Sequence, residues 1–515
     1  MSEHKKILKS ASLISGCTLI SRILGLIRDI VTAKLFGTGM VADAFFVAFT
    51  FPNLFRRLFG EGALNSAFVP VFSEYISHDK KKAGFYMANI TLSILFIILS
   101  SVVLLAIGIT AIIPCFFSIS EKLQLTFHLL QIMSPYMIFI CLAALFMGIL
   151  HSFKHFLIPA IAPVILNIFW IGAIIYICPK FGETLSVKIY GLAIAVFLSG
   201  IIQLLIHVPF AIKKGLKIKF QFDLKNSGVK KVFKLIIPVI AASTLTQSNV
   251  LVDTIFAYIL GPGMQSSLWY SQRILHFPLG VFGIAMSAAI LPHLSHLAAQ
   301  KQIHKIMHTL SFAIRIIFMI IIPCTTLLLI LNLPIIKLFF ERGNFDAISS
   351  ANTAFALFFY SIGLIGFAGN RITTQAFYAV QNTKTPIKIA LFCMILNIIL
   401  NLILMWPLKQ GGLALASSIS GIVQFGLLIY CLKDKIGIME FKPIIICFGK
   451  VCLISMIMAL VCIFSYQYIE HMAFFPAKKF AMVFVPLGLS TLTVAGLTSL
   501  LHLDDIKIFL KGGYV

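Results

Sequence analysis

The sequence predicts an all-α polytopic membrane protein of about fourteen transmembrane helices. Two six-helix lobes related by a pseudo-two-fold axis along the membrane normal are expected, followed by two C-terminal helices. Three observations carry this. The 515 residues are 60% hydrophobic and only 11% charged, with a mean hydropathy of +1.02, whereas soluble chains carry about 25% charged residues. Apolar runs of about 20 residues, long enough to cross the hydrocarbon core, recur from end to end. Short motifs echo one another at spacings of 222 and 227 residues. In lipid the backbone must satisfy its own hydrogen bonds, so spans of this composition fold as helices.

The expected spans fall near 10–35, 39–60, 84–114, 123–150, 157–178, 187–212, 232–260, 265–297, 303–331, 349–380, 386–406, 411–432, 443–468 and 479–502. The first two are the least hydrophobic. The basic N-terminus and the apolar stretch after it suggest a signal peptide, but Arg22, Arg28 and Asp29 interrupt that stretch, so an uncleaved first span is expected. Residues 61–78 and 332–348 mix polar and apolar side chains below spanning length and read as interfacial helices. Residues 213–235 form the longest basic stretch and the natural linker between halves. The domains are therefore expected at 1–215, 216–437 and 438–515.

The net charge of +24 would suggest a nucleic-acid partner in a soluble protein. Here the basic residues lie in short loops, and none is expected. One alternate set of loops holds Lys5, Lys6, Lys9, Lys80 to Lys82, Lys154, the run Lys213 to Lys234, Lys301, Lys305, Lys384, Lys388, Lys433, Lys435, Lys442, Lys507 and Lys511. The other holds Lys122, Lys180, Lys188, Lys337, Arg342, Lys409, Lys478 and Lys479, a bias of about threefold. Both termini are therefore expected in the cytoplasm. The ten cysteines are scattered singly with no CxxC, and read as small apolar fillers.

The echoes are Ala67, Pro70 and Ser73 against Ala289, Pro292 and Ser295 (67 to 289, an offset of 222), and Pro159 against Pro386 (an offset of 227). They predict six spans repeated, with two left over. Repeats of this kind are a transporter signature, with the substrate between the halves.

An ionisable residue deep in a span costs at least ~2.5 kcal/mol on insertion scales and faces a cavity or a partner. Arg22 lies near the middle of span 1, with Gly25 and Asp29 on roughly its face and Arg28 offset. Its bland reading is a pair with Asp29 or Asp43; the functional reading is a cavity ligand for an anion. Arg56 and Arg57 follow Pro52 and Asn53, and either of them can anchor span 2 at the headgroups. A straight helix aligns Arg57 with Asp43 and Glu61, but Pro52 is expected to kink it. Arg273 and Arg371 are too deep to snorkel easily. Arg315 is deep among apolar neighbours with no evident partner, and Lys450 is within snorkelling reach of an interface. Arginine forks suit phosphate oxygens. No Walker motif or nucleophile–base pair stands out, so no enzyme activity is expected.

A second candidate site gathers Asp253 in span 7, Asn397 and Asn401 four apart on span 11, and Ser417 in span 12. One carboxylate among neutral oxygens suits a monovalent cation such as Na+. Interhelical hydrogen bonding to a protonated Asp253 is the equal alternative.

Ser21, Arg22, Gly25, Arg28 and Asp29, then Ala42 to Phe46, Pro52, Asn53, Arg56, Arg57, Glu61 to Ala63 and Ala67 to Pro70 resemble the N-terminal signature of the MurJ (MviN) lipid II flippases. The similarity runs on through Arg273 to Pro278 and Thr383 to Pro386 and covers essentially the whole chain. The resemblance implies the MOP exporter superfamily, with two six-helix lobes about a central cationic cavity and a lipid-tail groove formed with helices 13 and 14. It implies export of lipid II, the undecaprenyl-diphosphate-linked peptidoglycan precursor, to the periplasmic leaflet of the bacterial inner membrane by alternating access. It also implies Arg22, Arg28, Arg56 and Arg273 as cavity arginines, Asp43 and Glu61 as functional acids, Asn53 as a conserved-motif amide, and Arg56 rather than Arg57 as the functional arginine. Three positions depart from some members: Gln272 replaces an acid, Arg371 a lysine and Asn401 an acid in the sodium set Asp253, Asn397, Asn401 and Ser417. A monomer is expected, with lipid II as partner and cell-wall synthesis proteins as further candidates.

Two rivals belong to transport: a flippase for another lipid-linked oligosaccharide and a drug/cation antiporter, which would want an acidic cavity. A channel or membrane scaffold is disfavoured by the repeat and by arginines in both halves. An inside-negative potential would help to reset a cationic empty cavity, at ~2.3 kcal/mol per unit charge per 100 mV.

Overall fold

The computed structural model describes residues 3–436, 441–472 and 477–501, with the side chains of 3–15, 60–63, 241–242, 245–246, 284–285, 288–289 and 434–436 left out. Glu61 as a side chain, and Lys507 and Lys511 altogether, fall outside the described residues. Every regular element among the described residues is helical, and the chain forms two compact units, Met1–Leu251 and Val252–Val515.

The first unit runs through α1 (Glu3–Phe36), α2 (Met40–Phe55), a π-helical segment (Arg56–Ala63), α3 (Leu64–Ser77), α4 (Lys81–Phe116), α5 (Glu121–Met133), α6 (Tyr136–Ser152), α7 (Leu157–Gly172) and α8 (Leu185–Lys213). Helix α9 (Ser227–Ile259) carries the boundary between the units. The second unit continues with α10 (Met264–Pro278), a π-helical turn (Leu279–Gly283), α11 (Ile284–Ala299), α12 (Ile303–Phe339), α13 (Ala347–Ile362), α14 (Leu364–Ala379), α15 (Lys384–Ile436), α16 (Phe441–His471) and α17 (Lys478–Leu500).

The element order repeats. Helix starts at 3, 40, 81, 121 and 157 recur at 227, 264, 303, 347 and 384, offsets of 222 to 227. Two of the three described π-helical stretches recur too, at Arg56 and Leu279, an offset of 223, while the third, Ala173–Ile177 after α7, has no counterpart in α15. The two motif echoes thus mark a repeat that runs from α1 to α7 and again from α9 into α15, with α16 and α17 outside it.

Among the described residues eight helices are long and apolar enough to cross a membrane, or nine when the bent pair α13 and α14 counts as one span. That criterion takes Lys384–Lys433 as one helix, although α15 breaks at Lys409 (φ 47°). The expected fourteen crossings are therefore not established by hydropathy. The helical stretches that fall short include α1, which carries Arg22, Arg28 and Asp29, and α10, which carries Arg273.

Both expected interfacial helices are corrected. Residues 61–77 continue α2 without a break, because the π-helical segment keeps the backbone helical past Gly60 and Gly62. Residues 332–339 are the end of α12, which bends where Leu331 leaves helical angles. After it, Asp346 starts α13 by accepting the Ser349 backbone N–H at 2.8 Å, an N-cap that holds its carboxyl below the usual range.

In the first unit α1 packs on α7, α2 on α5, and α6 on α8. Phe45 and Phe49 meet the edge of fully buried Trp170 at centroid distances of 5.1 and 5.2 Å. In the second unit α13 and α14 lie on α15 through small residues. A Cβ on Gly366 would sit 2.6 Å from the Gly421 backbone, an approach only a bare backbone allows. Helices α16 and α17 pack together and onto α12.

Candidate functional site

Two buried ionic corners stand out, one in each unit. The first is built on α1 and α7. Arg28 is 7% exposed and Asp29 fully buried. Asp29 Oδ1 accepts from Arg28 Nε at 3.0 Å and from a terminal guanidinium nitrogen at 2.9 Å. The other terminal nitrogen donates to Asn167 Oδ1 at 3.2 Å, and the guanidinium carbon lies 4.6 Å from the Trp170 ring centroid. Asn167 in turn donates to the Ser21 carbonyl at 3.0 Å. Trp170 Nε1 donates to Thr32 at 2.9 Å, and Thr32 to the Arg28 carbonyl at 2.6 Å. A desolvated charge pair of this kind holds only while both partners are present.

Arg22 does not pair with Asp29 or Asp43, as its bland reading would have it, in any hydrogen bond or ion pair given for the described residues. It is exposed, and Arg28, the neighbour in sequence, takes Asp29. Asp43 is fully buried and pairs with Lys122 Nζ at 3.2 Å, a residue at the start of α5. Arg56 Nε donates to Asn53 Oδ1 at 2.8 Å, one turn back. Arg57 points elsewhere and donates to Gln247 of α9 at 3.0 Å.

In the second unit Arg273 is half-buried, and its neighbour Gln272 donates to the Tyr360 hydroxyl at 2.8 Å. Arg371 is exposed and runs past Gly283, with its Cδ 3.7 Å from where a Cβ would stand there. Arg315 has a partner that the sequence reading overlooked: it donates to Ser311 Oγ, one turn earlier, at 3.3 Å. Lys450 is half-buried and donates to the carbonyl of Leu501, just past the end of α17, at 3.1 Å.

The second corner is Asp253, and all four residues expected of it come together. Asp253 Oδ1 accepts from Asn401 Nδ2 at 2.7 Å, and Oδ2 from Ser417 Oγ at 2.8 Å. Asn401 also donates to Asn397 Oδ1 at 3.1 Å, and Asn397 to Ser417 at 3.3 Å. Asn397 and Asn401 are buried, and Asn401 Oδ1 has no hydrogen-bond partner. A carboxylate, a hydroxyl and an orphaned amide oxygen form an all-oxygen set that fits a hard monovalent cation. Among the described residues no group of three His, Cys, Asp or Glu is placed to hold a metal, so a transition-metal site has no support there.

The two corners occupy equivalent places in the repeat. Asp29 and Asp253 are separated by 224 residues, the offset between the starts of α1 and α9. Each carboxylate meets asparagine from the helix whose starts match at 157 and 384, Asn167 of α7 by way of Arg28 in one case and Asn401 of α15 directly in the other. At the place of Arg28 the second unit has Val252.

Comparison with known proteins follows the same lines. A profile of the family described as lipid II flippase MurJ matches residues 32–485. The chain belongs to this family. A probable lipid II flippase MurJ of Vibrio cholerae is 37% identical over 436 residues, 82% of each chain. A lipid II flippase MurJ of Burkholderia cenocepacia is 33% identical over 439 residues, 84% of each. A solved lipid II flippase MurJ in an inward closed conformation superposes with a TM-score of 0.78 at 28% identity, covering 96% of this chain and 99% of that one. An inward-facing multidrug resistance transporter of the MATE family, in the MOP superfamily, shares the fold at a TM-score of 0.68 and 16% identity, covering 81% and 94%. Within a MurJ-family chain, Lys122, Asn167, Trp170, Gln247 and Tyr360 are partners the sequence reading did not name. Asn167 and Trp170 left a signal: a lone amide and an indole three apart in an apolar span share a helix face.

Proposed function

We propose that this protein carries lipid II from the cytoplasmic to the periplasmic leaflet of the inner membrane by alternating access, and so supplies cell-wall synthesis. The observation that carries this reading is the family match across residues 32–485. The protein acts as a transporter rather than a catalyst, as a monomer with both termini in the cytoplasm. Segments 1–215 and 216–437 serve as its lobes and 438–515 as a path for the lipid tail.

The cationic ligands for the diphosphate are Arg22, Arg28, Arg56 and Arg273, with Arg371 as an accessory. Exposed Arg22 is ready for an anion as it stands, whereas Arg28 must exchange Asp29 for phosphate. Asp43, Asn53 and Glu61 belong to the same machinery by their match to the family motif; Asn53 steadies the Arg56 fork. Asp253, Asn397, Asn401 and Ser417 hold Na+, whose charge would take the place that Arg28 fills in the other corner.

The test is depletion in the host, followed by assay of lipid II in each leaflet. Accumulation on the cytoplasmic side is expected. Undiminished delivery to the periplasmic side refutes the assignment.

A further inference from the structure

The segment between α8 and α9 is not a loose linker. Helix α8 ends at Lys213, and Gly215, with a φ of +103°, turns the chain sharply, its N–H bonded to the Ile212 carbonyl and the Leu216 N–H to that of Ala211. Leu216 is fully buried and pins the turn. The next residues run extended along α4, tied to it by side chains that helices rarely offer. Asn89 donates to the Lys217 carbonyl at 2.8 Å and accepts the Lys219 N–H at 3.3 Å, and Ser93 accepts the Gln221 N–H at 3.0 Å. Asn226 then caps α9 by accepting the Val229 N–H at 3.1 Å.

The odd residues thus give their backbone to α4. Even residues alternate with them, as side chains do in extended chain. The even set is Ile218, Phe220 and Phe222, and Leu224 follows in the turn at 224–225; all four are apolar and between 50% and 70% exposed. Among the odd ones, Lys217, Lys219 and Lys225 are exposed cations. An apolar row beside a cationic row is the chemistry of a membrane interface: the row enters the acyl boundary, and the lysines reach headgroup phosphates.

We propose that residues 217–225, an extended run closed by a turn, form a strap seated in the leaflet on the lysine-rich side of the membrane, with anionic phospholipid as its partner. Charge complementarity selects that partner over zwitterionic lipid, because the start of α4 adds Lys80, Lys81 and Lys82 on the same side. The strap is independent of what the protein transports.

Full-length protein in lipid nanodiscs tests this. Phe220→Trp adds one indole to the three native tryptophans, and its signal is the difference from the parent. That signal should be quenched by brominated lipid, and more by brominated phosphatidylglycerol than by brominated phosphatidylcholine. Replacing Lys217, Lys219 and Lys225 by Gln should lower the anionic preference by about fivefold per lysine lost. Quenching by aqueous iodide alone would place the strap in water and overturn the proposal. Equal quenching by both lipids, unchanged in the glutamine variant, would overturn the anionic partner. Protection from both quenchers in a dimeric particle would show that a second copy covers the row, and would overturn it too.

Discussion

The Arg28 corner and the Asp253 corner stand at matching places in the repeat and neutralise a buried carboxyl group in different ways. In both, a carboxylate is buried near the end of the first helix of a repeat, with asparagine supplied by the seventh, α7 or α15. In the first unit the neutralising charge is covalent: Arg28 fills the space beside Asp29 and stacks on Trp170. In the second unit Val252 takes that position, and Asp253 faces only neutral donors in the hydrogen bonds that hold it. A buried carboxylate without a fixed cation stays ionised only beside a diffusible one, or else takes a proton. The difference teaches that matching places in a repeat can hold a fixed ion pair in one unit and a carboxyl group met by neutral donors in the other.

Removing the fixed cation should have the largest effect. Arg28→Val recreates the second corner in the first and strands Asp29, at a cost of about 3–5 kcal/mol in denaturant unfolding of the purified protein. Arg28→Val with Asp29→Asn should recover most of it. Equal stability of the single and double variants would show that the pair holds nothing, and the comparison would fail. Lipid II translocation should be lost in Arg28→Ala.

The exchangeable corner should respond to salt instead. If Na+ binds the folded state, parent protein at a hundredfold excess over its dissociation constant gains about 2.7 kcal/mol. Asp253→Asn should abolish that gain. Melting curves in sodium against choline chloride decide it, and a parent that ignores sodium leaves the proton as occupant.

Lys122→Ala removes the cation held by buried Asp43 and should cost about 2 kcal/mol, read by the same unfolding assay. Trp170→Phe keeps a ring over Arg28 but loses the bond to Thr32, which should lower stability by about 1 kcal/mol. At the bottom of the scale lies Lys231→Gln. Lys231 and Glu74 pair at 2.6 Å, but both side chains are more than half exposed, so the melting temperature should not move measurably.

The sequence exposed the repeat because prolines at helix starts are few and positional: Pro159 and Pro386 kept register across the duplication. It exposed the Asp253 cluster because polar residues four apart in an apolar span must share a face. It did not reveal who neutralises whom. Helical phase set Asp29 on the face of Arg22, but the long Arg28 side chain folds back onto its own neighbour, which no periodicity reports. Lys122 looked like a topological marker in a loop, and its reach to Asp43 depends on how α5 packs on α2. Residues 61–77 looked interfacial because Gly60, Glu61 and Gly62 dilute their hydropathy, although the backbone stays helical through them.

Those π-helical stretches have a mechanical meaning. Each holds surplus residue in its turn, wound less tightly than the helix on either side. If the surplus passed along the rod, the part beyond would swivel by about 100° and slide by about 1.5 Å, with no hydrogen-bonded ladder torn open. Arg56 opens one such coil, and Arg273 lies within two turns of the other. Both arginine-bearing rods therefore carry a swivel joint of their own, placed at the charge it would turn.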